Sequence, residues 1–149
     1  MLKDLITYEN IEVDVEAVDW EDAVYRGAKI LLDKEYITPK YIDEITNKVK
    51  EIGPYIVIAP GIALSHARPE DGVKKLSMSI MTLKNPIEFG NEDNDPVKLL
   101  ITLGAVDNET HLKALYELMK LLNNSEDVKK IFKAKDKQEI LKVLSKYSK

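Results

Sequence analysis

The stretch YIVIAPGIALSHARPEDG, residues 55–72, decides the class of fold. Its first five residues, Tyr55 to Ala59, are apolar at every position. A strand wetted on one side alternates apolar and polar residues, whereas a strand apolar on both sides is covered on both. Helices must therefore lie on each face of the sheet that holds it. The expected architecture is α/β: a three-layer α/β/α sandwich with four to five strands. The whole chain, residues 1–149, is read as one domain.

Working outward, the rest of the sequence supplies the parts. Residues 11–16, Ile-Glu-Val-Asp-Val-Glu, alternate strictly and predict a strand with one acidic face. Asp19 is placed to cap a helix whose apolar face runs from Trp20 to Leu31. Thr38-Pro39 reads as a cap and first helical position, and Gly53-Pro54 as the stop of that helix, with Ile42, Ile45, Val49 and Ile52 on its apolar face. Leu76–Leu83 and Val97–Leu103 read as further strands, separated by the turn-forming loop 89–96. Three helices follow. Asn108 is the expected cap of the first, with Leu112, Leu115, Leu118, Met119 and Leu122 facing the core. Ser125 and Asp136 are the expected caps of the second and third. The lysine-rich tail, Lys142 to Lys149, reads as a solvated helix end.

Composition narrows the function classes. A net charge of −4, with no basic stripe, argues against nucleic acid as the main partner. There is no cysteine, hence no disulfide or thiolate metal site. The N-terminal residues turn acidic too early for a signal peptide, and no apolar run reaches the ~20 residues of a membrane span. A cytoplasmic location is expected.

The chemistry centres on two histidines, the only ones in the chain. His66 follows an apolar run and a Pro-Gly turn, between Ser65 and Ala67-Arg68. Neutral imidazole is a nucleophile that can carry a transferred group. If the segment is extended, positions 66 and 68 share a face, and an arginine fork suits phosphate oxygens. Spacing alone does not separate this reading from a surface-loop histidine beside an arginine. His111 falls at the third position of the helix capped by Asn108, where free N–H groups favour anions. There too a plain polar helix start fits the spacing. Other chemistries are weaker. No metal-ligand spacing, EF-hand loop, nucleophile elbow or nucleotide-binding glycine motif occurs, and Ser65 beside His66 is no hydrolase dyad.

The segment IAPGIALSHARPEDGVKKLSMSIMTLKNPIEFG resembles the active-site signature of type 2 (fructose/mannitol) enzyme IIA components of the bacterial phosphoenolpyruvate-dependent sugar phosphotransferase system. VDNETHLKALYELMKLLNN resembles the second histidine segment of the same family, and the likeness spans nearly the whole chain; it implies a three-layer α/β/α sandwich whose sheet is mixed. GPYIVIAPGIALSHARPEDGV with FGNEDNDPVKLL is most similar to the ascorbate branch. The resemblance implies that His66 accepts a phosphoryl group from the carrier HPr and passes it to a IIB component, with a membrane IIC component handling the sugar. It implies that His111 helps hold the phosphoryl group, and that no cofactor or metal takes part. Two departures stand out. Ser65 replaces the proline frequent before the reactive histidine and adds a hydroxyl that could bond a phosphate oxygen. Lys50 stands where mannitol-type members carry an arginine, which makes Arg68 a candidate replacement. Ile62 and Leu64 are expected to form an apolar docking rim. A regulatory module of the same family, whose phosphorylation controls a protein partner, is the alternative, and a non-covalent anion binder is a third reading.

Overall fold

The computed structural model describes residues 2–147. Its strands are β1 (Ile11–Val15), β2 (Val57–Ala59), β3 (Ile62–Ser65), β4 (Ser77–Ile87) and β5 (Val97–Gly104). Its helices are α1 (Leu2–Leu5), α2 (Trp20–Leu32), α3 (Pro39–Ile52), α4 (Asn108–Leu122), α5 (Ser125–Lys133) and α6 (Lys137–Leu144). The strands form one mixed sheet in the order β1-β4-β5-β3-β2. β1 is parallel to β4 and β3 to β5, while β4–β5 and β2–β3 are antiparallel.

Alternate strand residues feed two cores. Ile62, Leu64, Met78, Ile80, Leu99 and Ile101 pack under α1, α4, α5 and α6. Ala63, Met81, Leu83 and Leu100 pack under α2 and α3. The three-layer α/β/α sandwich with a mixed sheet is therefore present. α2 lies close on the sheet because Gly27 leaves it room: a Cβ there would meet Leu100 Cδ2 at 2.9 Å. Ser79 Oγ donates to the Gly27 carbonyl at 3.1 Å across that contact.

The stretch that decided the class folds differently from its simplest reading. Only Val57–Ala59 of YIVIA is strand, at the edge of the sheet, with Ile58 exposed. The strand covered on both faces is β3, whose four residues are all buried. The cause is the Pro60-Gly61 turn, with Gly61 at φ +76°, which reverses the chain after two residues. β3 then lies between β2 and β5, and both halves of the apolar stretch enter one sheet.

Asp19 and Asp136 cap α2 and α6, accepting from Asp22 N–H and Glu139 N–H. Gly53, at φ +100°, ends α3. Two caps fall one residue earlier than expected: Asn124 caps α5 and Asp107 caps α4. Thr38 stands at the cap position of α3, but its hydroxyl donates to the Gly72 carbonyl instead. α4 buries Ala114, Leu118 and Leu121, and leaves Leu112 and Met119 exposed, contrary to the expected core face.

Candidate active site

Both histidines sit beyond the carboxyl ends of the parallel pair β3 and β5, the edge of an α/β sheet where ligands ordinarily bind. His66 follows Ser65, the last residue of β3, and His111 lies in the first turns of α4, which follows β5. Their ring centroids are 5.6 Å apart. They share a cavity of about 330 Å³ with Lys48 and Ile52 of α3, Tyr55 and Arg68. A cleft of about 360 Å³ between β1 and α2 holds neither histidine. Two of the cations lining it, Arg26 and Lys29, are paired with Asp22 and Asp33.

The His66 ring is fixed from below. Its Nδ1 lies 2.8 Å from the Leu64 carbonyl oxygen. That oxygen only accepts, so Nδ1 carries the proton and Nε2 carries the lone pair. The ring of Tyr55 stands edge-on to the imidazole at 5.3 Å and 79°. Burial holds His66 below the ordinary histidine range and the nearby Lys48 ammonium adds to this, against the Leu64 carbonyl, which favours the charged ring. His111 is depressed too, by burial first and by His66 second. Two neutral imidazoles therefore face each other near neutral pH. The His111 Nδ1 is buried without a hydrogen-bond partner among the described residues, which leaves Nε2 as the better seat for its proton. One ring thus presents a lone pair and the other an N–H.

The loop after His66 is pinned at its far end. Thr38 N–H and Thr38 Oγ1 both donate to the Gly72 carbonyl, at 2.9 and 3.1 Å. Gly72 has φ +126°, and a Cβ there would lie 2.2 Å from Thr38 Oγ1. Only a residue without a side chain closes this joint.

The structure sorts the other candidate residues. Arg68 lines the cavity; its Nε lies 3.9 Å from Glu70 and 3.8 Å from Asp71, and its side chain is largely exposed. Such loose surface pairs leave a guanidinium available to a better anion. Ser65 is corrected: it is fully buried, and its strand partner is Thr102 inside the sheet. With His66 facing the cavity, the preceding side chain of an extended strand turns into the protein. Lys50, where a clamping arginine was expected to be missing, lies away from the cavity: it is exposed and bonds Glu21 of α2 at 3.2 Å. Lys48 reaches the cavity in its place, half-buried and in no ion pair among the described residues. Ile62 and Leu64 form no rim, because both are core residues. Ile52, 61% exposed at the cavity edge, is the apolar residue at the mouth. With Asp107 as cap, His111 is the fourth residue of α4, and its own N–H already donates to the Asp107 carbonyl. Sequence reasoning missed Lys48, Tyr55 and Tyr41. The spacing of Lys48 and Ile52, four apart on one helical face, was the available signal for the first.

Residues 4–147 match the profile of the family described as "Phosphoenolpyruvate-dependent sugar phosphotransferase system, EIIA 2". The chain belongs to this family. It is an EIIA component, and EIIA components are phosphotransferases. It is 38% identical over 143 residues to the ascorbate-specific PTS system EIIA component of Shigella dysenteriae, covering 95% of this chain and 93% of that one. The solution structure of the mannitol-specific cryptic enzyme IIA CmtB from Escherichia coli superposes with a TM-score of 0.90 at 36% identity, covering 97% and 98% of the two chains. The fold recurs in an E. coli mannitol IIA solved in complex with its phosphorylated IIB, with a TM-score of 0.83 at 23% identity over 95% and 99% of the two chains. No helix among the described residues is long and apolar enough to cross a membrane.

Proposed function

We propose that His66 is the phosphoryl acceptor of this EIIA component, and that it takes the group from phospho-HPr and gives it to an ascorbate-type IIB component in the cytoplasm. One observation carries the assignment: Nδ1 is tied to the Leu64 carbonyl, so the free lone pair is on Nε2, in a cavity lined by cations. Support for the ascorbate branch is the 38% identity over nearly the full chain to an ascorbate-specific relative.

In the first step His66 Nε2 attacks the phosphorus of the donor phosphohistidine. The new N–P bond forms as the donor N–P bond breaks, and the donor nitrogen leaves with that electron pair. The proton stays on Nδ1, donated to the Leu64 carbonyl oxygen, which stabilises the positive charge that develops on the ring. The three equatorial oxygens carry charge in the loose transition state and need fixed donors. His111 Nε2–H, Lys48 and Arg68 are the donors at hand. The exchange of one N–P bond for another leaves little net driving force, so the same groups serve the second step, in which a nucleophile of IIB attacks the phosphoryl group on His66. Ile52 gives the mouth an apolar surface for the docking carriers.

The test is labelling with phosphoenolpyruvate, enzyme I and HPr, followed by peptide mapping. Label is expected on His66 in the intact chain and none in His66→Ala. A His66→Ala chain labelled to the same extent removes the assignment.

A further inference from the structure

The peptide group joining His66 to Ala67 is held at both of its polar atoms by tyrosine hydroxyls from two different parts of the chain. Tyr55 Oη donates to the His66 carbonyl oxygen at 2.5 Å. On the other side of the same peptide, Ala67 N–H donates to Tyr41 Oη at 3.1 Å. Tyr41 in turn donates its proton to the Leu103 carbonyl at 2.6 Å. One hydroxyl has one proton to give, so Tyr41 is a relay: it accepts from the reactive loop and donates to the end of β5. Tyr41 belongs to α3, which also carries Lys48, and β5 leads into the turn that launches α4 and His111. Three segments that deliver site residues thus meet at one buried phenol.

The order of these contacts matters for the imidazole. The Leu64 carbonyl sets the rotation of the ring. The plane of the His66–Ala67 peptide sets the backbone from which that ring projects. With both fixed, and the Tyr55 ring against its edge, Nε2 is left facing the cavity. Burial pushes the phenols of Tyr41 and Tyr55 up to about 12, so both are protonated donors near neutral pH.

We propose that Tyr41 and Tyr55 are positioning residues for phosphoryl transfer: together they clamp the His66–Ala67 peptide and hold His66 Nε2 in line with the incoming phosphorus. The inference rests on His66 being the acceptor. Neither hydroxyl has to touch the phosphoryl group. Both act through the geometry of His66, where a misplacement of about 1 Å is worth about a hundredfold in rate.

Tyr55→Phe removes one hydrogen bond and keeps the ring, and Tyr41→Phe removes the relay. Tyr25→Phe, at an exposed tyrosine of α2 outside the cavity, is the control. Each is assayed in single-turnover transfer from phospho-HPr, reading the maximal rate and the half-saturating donor concentration. Each is also examined by ¹⁵N NMR of the His66 ring. For Tyr55→Phe the maximal rate is expected to fall about tenfold or more, within the range of positioning effects. The half-saturating concentration stays within about twofold, since these hydroxyls are not a docking surface. The His66 ring is expected to shift from a single Nδ1–H tautomer towards a mixture. Tyr41→Phe behaves alike and also melts earlier; should it fail to fold, Tyr55→Phe carries the test. Tyr25→Phe matches the natural chain. A Tyr55→Phe protein with the natural rate and tautomer overturns the clamp. So does a rate loss that comes wholly from weaker donor binding with the tautomer unchanged. Label mapping in the natural chain keeps the two claims apart: label away from His66 ends the acceptor reading, whereas label on His66 with an undisturbed Tyr55→Phe ends only the clamp.

Discussion

Asp127 and His66 each sit beside a tyrosine hydroxyl, a lysine and the start of a helix, yet the two polar clusters are built oppositely. Asp127, in the first turn of α5, is buried, and its carboxylate is fully engaged: Lys146 Nζ donates to Oδ1 at 2.8 Å and Tyr147 Oη to Oδ2 at 2.5 Å. Lys130 lies 3.8 Å away. Of the tail read as a solvated helix end, Lys146 and Tyr147 are pinned here, and residues 148 and 149 lie outside the described residues. Around His66 the bonds go elsewhere. The tyrosine hydroxyls grip backbone, Lys48 has no carboxylate and His111 Nδ1 no partner among the described residues, and His66 lines an open cavity. A cluster whose donors and acceptors are matched stabilises; one that holds its ring rigidly while leaving a lone pair and one lysine unmatched is prepared for a ligand.

The two also respond to pH from different ordinary values. Hydrogen bonds from Lys146 and Tyr147 hold Asp127 below its ordinary 3.8. Its stabilisation is complete above that ordinary value and is lost as pH falls towards the folded value. His66 and His111 are held below their ordinary 6.5. The unfolded chain therefore protonates first on descending through 6.5, and stability declines below that point as the pH approaches the folded values. The Asp127 corner stays charged and bonded at every pH above its ordinary 3.8.

The strongest way to sharpen the contrast is His111→Ala. If the site is unmatched by design, removing His111 harms transfer far more than stability. Loss of one donor to the transferring oxygens corresponds to about a hundredfold. Onward transfer to IIB is expected to fall by that factor in rapid-quench assays, while loading from phospho-HPr persists in part. Unchanged onward transfer removes the proposed role of His111.

How much of this was legible in the sequence follows from whether the signal is local. The alternation of β1, the caps Asp19 and Asp136, and the stop at Gly53 are set by neighbours one to four residues away, and they stand where the pattern put them. The two histidines were visible because loops and helix starts carry reactive groups. The hairpin of β2 and β3 was half-hidden, since Ile62–Leu64 is as apolar as Tyr55–Ala59 and only the sheet decides which is central. Asp107 and Asn108 are both good caps, and backbone geometry chose the first. Ser65 went wrong through strand alternation, and Lys48 was missed through helical phase: it stands two residues from Lys50, about 200° round an α-helix, enough to swap Glu21 for the cavity. The tyrosine clamp joins residues 11 and 26 apart in sequence and leaves no local pattern at all.

A smaller effect separates the two lysines of α3. Lys48→Gln is expected to slow phosphoryl transfer about tenfold, the size of one charge-assisted contact, because no other cation reaches the cavity from α3. Lys50→Gln removes an exposed pair with Glu21 and should leave the rate within about twofold. The comparison is made by steady-state transfer at low salt. Equal losses in both variants mean that the site senses only the summed charge of α3, and the distinction by phase is gone.

The smallest effect on transfer, and a clear one on stability, is expected at the matched corner. Asp127→Asn keeps the shape and an oxygen for Tyr147, but leaves Lys146 without its counter-charge. One lost charge-assisted bond to a buried acceptor is worth about 1–2 kcal/mol, or about 3–6 °C in Tm for a chain of this size. Transfer rates should be unchanged. Because the two chains differ by a carboxylate held below its ordinary pKa, the Tm gap should be constant near neutrality and close as the pH falls below 3.8. Calorimetry across that range reads it directly. A constant gap at every pH would mean that packing rather than charge holds the corner. Lost transfer at unchanged Tm would mean that the corner and the His66 cavity are coupled, and the contrast between them would fail.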